Sequence, residues 1–193
     1  MRIIAGQAKG RQLHRVKSDR TRPASNKVKA ALFNILGEFV ERQRVLDLFA
    51  GTGSLGIEAL SRGAAHCTFV DNSRTCLRVI EQNLQVTGLR DRADLWRADV
   101  FRLQNRLTTT GTRVGLVLVA PPYDLVEKPV TRDRLMELFI FMATHGILAR
   151  DGFISLEHRH RTFAPERLEG LTVHDVRRYG ETEITLLRTA RME

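Results

Sequence analysis

VLDLFAGTGSLG, residues 45–56, decides the fold of this 193-residue chain. An apolar run leads into Gly51-Thr52-Gly53-Ser54-Leu55-Gly56, which fits GxGxxG placed between a buried strand and the start of a helix. Outward from it, short apolar runs at 44–49, 66–71, 93–99, 114–120 and 152–158 read as strands. Helical patterns begin at Ser54, follow Asp71 as SRTCLRVIEQNLQVTG, and recur over 131–145. LTVHDVRRY and TEITLLRT pair as a hairpin around Gly180. This alternation predicts an open, mostly parallel α/β sheet with a C-terminal antiparallel hairpin. In such sheets ligands sit beyond the carboxyl ends of the strands, at the topological switch.

Upstream, RIIAG, QAKGR and QLHRV read as strand, turn and strand, a β-hairpin arm closed by Pro23. Ser25 or Asn26 then caps a helix with an apolar stripe from Val28 to Phe39. The chain has 31 Lys and Arg against 22 Asp and Glu. Residues 1–29 hold nine of those cations and one acid, Asp19, so the arm carries +8 and the rest is nearly neutral. A block of this kind attracts a polyanion, and Lys and Arg contacts to phosphate dominate nucleic-acid affinity. The arm lacks the large apolar face that docking on lipid needs. Arg2, Lys9, Arg11, Arg22, Lys27 and Lys29 are therefore the candidate nucleic-acid contacts, in a 1–29 arm ahead of a 30–193 α/β domain.

No stretch approaches the roughly 18 apolar residues of a membrane span. The opening MRIIAGQAKGR has no hydrophobic core of a secretory leader, and Cys67 and Cys76 form no CxxC, which fits reduced thiols in a cytoplasmic protein. His158-Arg159-His160 lacks a third ligand at useful spacing, so the histidines read as surface groups and no metal is expected.

The glycine loop has two rival ligands. Asp71 lies twenty residues after Gly51, at the end of the next strand, where a carboxylate takes ribose hydroxyls. By spacing alone this is a dinucleotide site. Asp47, four residues before Gly51, separates the cases. A carboxylate repels a pyrophosphate by about 4 kcal/mol at 4 Å near a surface. The same carboxylate attracts a ligand carrying an ammonium and a sulfonium, which describes S-adenosylmethionine. Asp47 as a simple cap on the loop backbone is the plainer alternative. Asp99, after the third strand, can accept from an adenine amino group, with Asn72 or Val100 lining the ring; it can equally cap the next helical turn.

After the fourth strand stand Pro121, Pro122 and Tyr123. Two prolines stiffen the chain and leave the Pro121 carbonyl free to accept. Methylation of an exocyclic base nitrogen needs such acceptors, because the amino lone pair is conjugated into the ring and must be turned out. An aromatic residue then stacks on the extruded base, and Tyr123 is the candidate. A strand terminator with a packed Tyr is the alternative.

With these residues in place, the sequence resembles the RsmD family of 16S rRNA guanine-N2 methyltransferases. RIIAGQAKGRQL, TRPASNKVKAALFNIL and VLDLFAGTGSLGIEALSRGA carry the resemblance, which runs from Arg2 to about residue 157. It implies a class I fold using S-adenosylmethionine and acting on small-subunit rRNA during ribosome assembly. By that resemblance Asp47, Gly51 and Gly53 hold the methionine part, Asp71 the ribose and Asp99 the adenine. Pro121, Pro122 and Tyr123 meet the target guanine, and the arm meets RNA. Three positions depart from the family pattern: Ala120 replaces the acid of DPPY, and Asn26 and Ala30 replace two acids in the helix. Ala120 removes a side-chain acceptor for one amino hydrogen, an omission worth about 1–3 kcal/mol. Asp124 is a substitute carboxylate by position. Two other readings stay open: a noncatalytic RNA-binding assembly factor, favoured by Ala120, and a DNA adenine-N6 methyltransferase, disfavoured by the lack of a separate recognition domain. A nicotinamide dehydrogenase ranks last, against Asp47 and the Pro-Pro-Tyr turn.

Overall fold

The computed structural model describes residues 1–16, 26–163 and 168–190. The chain forms two compact units, Met1–Val100 and Phe101–Glu193. In the first, β1 (Arg44–Leu48) pairs in parallel with β2 (His66–Asp71), and β2 with β3 (Ala93–Arg97). Helices α1 (Asn26–Leu36), α2 (Ser54–Ser61) and α3 (Arg74–Thr87) belong to this unit. β1 and β2 are buried through their middles because both faces of a parallel strand are covered, with Asp47 and Thr68 the polar residues among apolar ones. Every residue of α2, SLGIEALS, is buried: the small and apolar ones pack inward, and Glu58 is paired there with Lys29 and Arg62. α3 is bounded at both ends: Ser73 Oγ accepts from the Cys76 amide, and left-handed Gly88 lets Leu89 N reach Leu84 O. Leu46, Leu48, Ile57, Leu60, Phe69 and Ile80 fill the core of this unit.

The second unit contains α4 (Gln104–Thr109), β4 (Val114–Val119), α5 (Tyr123–Glu127), α6 (Pro129–Thr144), β5 (Leu148–Arg159), β6 (Leu171–Tyr179) and β7 (Thr182–Thr189). β4 and β5 are parallel; β5 and β7, and β7 and β6, are antiparallel. β4, VGLVLV, is buried at every position. The class is the expected one: among the described residues, seven strands, mostly parallel, with an antiparallel hairpin at the C-terminal end.

Four expectations change in detail. β3 ends at Arg97, so Asp99 stands two residues beyond the strand. The Pro-Pro-Tyr segment does not remain a loop: Tyr123 starts the short helix α5, and Pro129 opens α6 at the first-turn position where its missing N–H costs nothing. Among its described residues the arm pairs through one antiparallel bridge, Arg2 with Gln12, around turns at 5–10. His158 is not a surface histidine. It is fully buried, with Nε2 2.9 Å from Thr185 Oγ1 and Nδ1 2.8 Å from the Arg159 carbonyl, and burial lowers its pKa. Cys67 and Cys76 are buried free thiols with pKa values raised by desolvation. Pro23, Ser25 and Arg22 lie outside the described residues. Among the described residues no His, Cys, Asp and Glu cluster is arranged to hold a metal, and no helix is long and apolar enough to cross a membrane.

Candidate active site

The seven cofactor candidates all fall in the first unit. β1 ends at Leu48, and the backbone turns at Phe49, a non-glycine residue with φ 57°. Left-handed backbone in a bulky residue is strain stored in the loop that leads to Gly51. Gly53 adopts φ 76°, and an added Cβ would lie 3.2 Å from Ile57 and Ile80, so both conformation and packing call for glycine. Two carboxylates brace the loop. Asp71 Oδ2 accepts from the Gly51 amide at 2.9 Å, and its Oδ1 accepts from Ser73 N at 2.9 Å. Asp47 Oδ2 accepts from the Gly56 amide at 2.9 Å. The capping alternative for Asp47 therefore describes one of its two oxygens.

Asp47 is 1% exposed, and burial drives its pKa from 3.8 to about 8, with the Gly56 bond opposing and the Asp71 charge adding. A desolvated carboxylate of this kind favours a cationic neighbour. The loop amide that would cradle a phosphate in a dinucleotide site, Gly51 N–H, is already donated to Asp71. With four lone-pair sites on its two oxygens, the Asp71 carboxylate has acceptor capacity left for a hydroxyl. The donor set thus fits S-adenosylmethionine and opposes a pyrophosphate. Asp99 and Asn72 are exposed beyond β3 and β2, while Val100 is buried at 3% exposure.

The acceptor candidates lie in the second unit. Pro121 is buried, Pro122 exposed and Tyr123 half-buried at the start of α5. Tyr123 Oη lies 2.7 Å from Thr182 Oγ1, and the Arg159 guanidinium stands 5.6 Å from the ring centroid. Asp124 is exposed, with Lys128 Nζ 3.4 Å from its Oδ2 on the same helical face.

Of the basic candidates, Arg2, Lys9, Arg11 and Lys27 are exposed. Lys29 is corrected: it has no exposed surface, and its Nζ sits 2.8 Å from Arg2 O, 3.1 Å from Ser54 Oγ and 3.3 Å from Glu58 Oε2. The apolar stripe of α1 carries it inward with Val28, Leu32 and Phe33, so it cannot meet a phosphate. Desolvation lowers its pKa, and Glu58 opposes that. Sequence reasoning missed the residues that hold the arm. Glu58 accepts from the Ile4 and Ala5 amides at 2.8 and 3.1 Å and pairs with Arg62 Nε at 2.8 Å. Ser61 Oγ accepts from Ala8 N and donates to Ala5 O. Asn83 binds both His14 N and His14 O and also donates to Thr52 O at 2.9 Å inside the glycine loop. The available signal was three polar residues, Glu58, Ser61 and Asn83, on otherwise apolar helical faces beside a chain segment short of its own ladder bonds.

The family described as Conserved hypothetical protein 95 matches residues 1–188. Among curated relatives, YlbH of Bacillus subtilis, assigned by name provisionally to rRNA methylation, is 35% identical over 188 residues, covering 97% of this chain and 98% of its own. Ribosomal RNA small subunit methyltransferase D of Escherichia coli is 33% identical over 157 residues, 81% of this chain and 74% of that one. The solved structure of Escherichia coli yhhF, described provisionally as a methyltransferase, superposes with a TM-score of 0.80 at 28% identity, over 98% of this chain and 97% of that one. The chain belongs to the Conserved hypothetical protein 95 family, the RsmD-like methyltransferases whose opening and glycine-loop motifs it shares.

Proposed function

We propose that this methyltransferase moves the methyl group of S-adenosylmethionine onto the exocyclic N2 of a guanine in 16S rRNA of the assembling small subunit. The observation that carries the reading is the Asp71 carboxylate on the Gly51 amide, which turns a nucleotide-type loop away from phosphate and toward a cationic nucleoside. Membership in a family with rRNA small subunit methyltransferases supports the acceptor.

Bound at the loop, S-adenosylmethionine supplies an electrophilic methyl group and a neutral thioether leaving group. Asp47 and the Gly51–Gly53 turn face its charged methionine end, Asp71 takes the ribose hydroxyls, and Asp99 accepts from the adenine amine beside Asn72 and Val100. The Pro121 carbonyl accepts a hydrogen from the guanine amine and so turns the nitrogen lone pair outward. Pro122 stiffens the turn, and Tyr123 stacks on the extruded base. The spare proton leaves to water after transfer, so no strong base is required beforehand. Arg2, Lys9, Arg11 and Lys27 contact phosphates on either side. The chain acts as a cytoplasmic monomer without a metal.

The test is transfer from labelled S-adenosylmethionine to three acceptors in parallel: small subunits lacking the modification, free 16S rRNA and DNA. The expected product is N2-methylguanosine in rRNA. Label in DNA adenine overturns the acceptor; binding of cofactor and RNA without label identifies the noncatalytic assembly factor that Ala120 would allow.

A further inference from the structure

Arg159 and Thr182 stand directly opposite each other in the antiparallel β5–β7 ladder, so their side chains share one face of the sheet. Both reach Tyr123. Thr182 Oγ1 holds the phenol oxygen at 2.7 Å, and the Arg159 guanidinium lies over the ring, 5.6 Å from its centroid. Arg159 is itself anchored: its Nη1 is 2.9 Å from Glu127 Oε1. Glu127 is one helical turn after Tyr123 on α5, which places both on the same side of the helix. The ladder under this clamp is tied by polar side chains. His160 Nδ1 lies 2.7 Å from Glu183 Oε2, and buried His158 contacts Thr185 Oγ1.

We infer that Arg159 and Thr182 are positioning residues that fix Tyr123 and cover one face of its ring, leaving a single face on which an RNA base stacks. An aromatic ring free on both faces and free at its hydroxyl can accept a base in several poses, and only one turns the exocyclic amine toward the methyl donor. A guanidinium on one face removes half of those poses. The bond from Oη to Thr182 then limits swing of the ring about the Cα–Cβ bond, which matters because misplacement of the reacting atoms by even an ångström is costly in rate. Cation–π contact adds stacking energy in the same arrangement. The inference rests on the reading that Tyr123 receives the base.

The experiment is steady-state methyl transfer to unmodified small subunits by six variants, with thermal melts alongside. Arg159→Ala lowers kcat about two- to fivefold, the size of an exposed cation–π contact, with KM for the subunit within twofold of the parent. Thr182→Val, close in shape but lacking the hydroxyl, lowers kcat by about threefold, and Thr182→Ser restores it. In a Tyr123→Phe background, Thr182→Val has no further effect, because the bond it removes is already gone. A raised KM with unchanged kcat in Arg159→Ala makes Arg159 a phosphate contact and overturns the inference. So does a raised kcat, which makes Arg159 an occupant the base must displace, or a Thr182→Val effect that persists in the Phe background. Tyr123→Ala separates the two levels. Loss of transfer keeps the base-stacking reading whatever Arg159 and Thr182 do; full activity removes that reading itself.

Discussion

Lys29 Nζ lies 3.3 Å from Glu58 Oε2, and neither side chain has any surface exposed to water. Breaking a buried pair by removing one member leaves an uncompensated charge, at a cost of about 3–5 kcal/mol. Lys29→Met therefore lowers the unfolding free energy by about 3 kcal/mol, toward the lower bound because Arg62 and two amides still serve Glu58. Lys27→Met, on the surface two residues away, leaves stability within about 0.5 kcal/mol and reduces the salt slope of RNA binding by about one. Urea titrations and salt-dependent binding check both; equal effects at the two positions would contradict the assignment.

The arm is held by packing as well as by polar bonds. Gly6 has φ 79°, and a Cβ there would come within 1.8 Å of the Ser61 carbonyl oxygen. Gly6→Ala meets both the left-handed backbone cost and a backbone clash, together about 2–4 kcal/mol. The expected result is a destabilised protein whose arm amides at Ile4, Ala5 and Ala8 lose their protection from hydrogen exchange. Unchanged exchange there would show that the arm is anchored elsewhere.

Asp47 sets a pH dependence with a definite sign. In the free protein its pKa is raised to about 8, against 3.8 ordinarily. Between those values the folded chain holds a proton that the unfolded chain does not, so this group's contribution to stability falls as pH rises and levels off above about pH 8. A cationic ligand reverses the preference by favouring the carboxylate. Binding of S-adenosylmethionine then releases a proton at pH 7, and affinity rises with pH up to about 8. Titration calorimetry in buffers of different ionisation enthalpy reads the proton directly. Asp47→Asn keeps an oxygen for the Gly56 amide, abolishes the proton release and flattens the pH profile of stability; proton release that survives in the Asn variant assigns it to another group.

Ala120 follows β4 and precedes the buried Pro121 with no side-chain acceptor. Restoring one removes an unmade hydrogen bond worth about 1–3 kcal/mol. Ala120→Asp raises kcat by roughly one to two powers of ten, read as initial rates of methyl transfer with cofactor affinity unchanged. No increase would mean that the Pro121 carbonyl already orients the amine fully.

The elements that build the glycine loop were legible because their causes are local. The apolar run at 45–48, the GxGxxG turn and the carboxylates at Asp47 and Asp71 signal strand, turn and acceptor within a few residues of each other. The arm was legible in charge and opaque in contact. Lys29 looks like its basic neighbours in sequence, and only the inward-facing stripe of α1 sends it into the core. Glu58, Ser61 and Asn83 act on residues 53 to 69 positions away, a separation that no local pattern encodes. The same holds for Tyr123 on α5, whose ring partner Arg159 and hydroxyl partner Thr182 arrive from β5 and β7. His158 read as polar and therefore exposed, whereas pairing of β5 with β7 buries it and supplies Thr185 as its partner.

Transfer as proposed requires Tyr123 to receive a guanine while the glycine loop holds the methyl donor. A single-turnover experiment tests this most directly: protein preloaded with labelled S-adenosylmethionine is mixed with unmodified small subunits, and the rRNA is digested to nucleosides. The predicted result is one N2-methylguanosine per subunit from the parent chain and none from Tyr123→Ala, which still binds the cofactor. Label on another nucleotide, or the same yield from Tyr123→Ala, would contradict it.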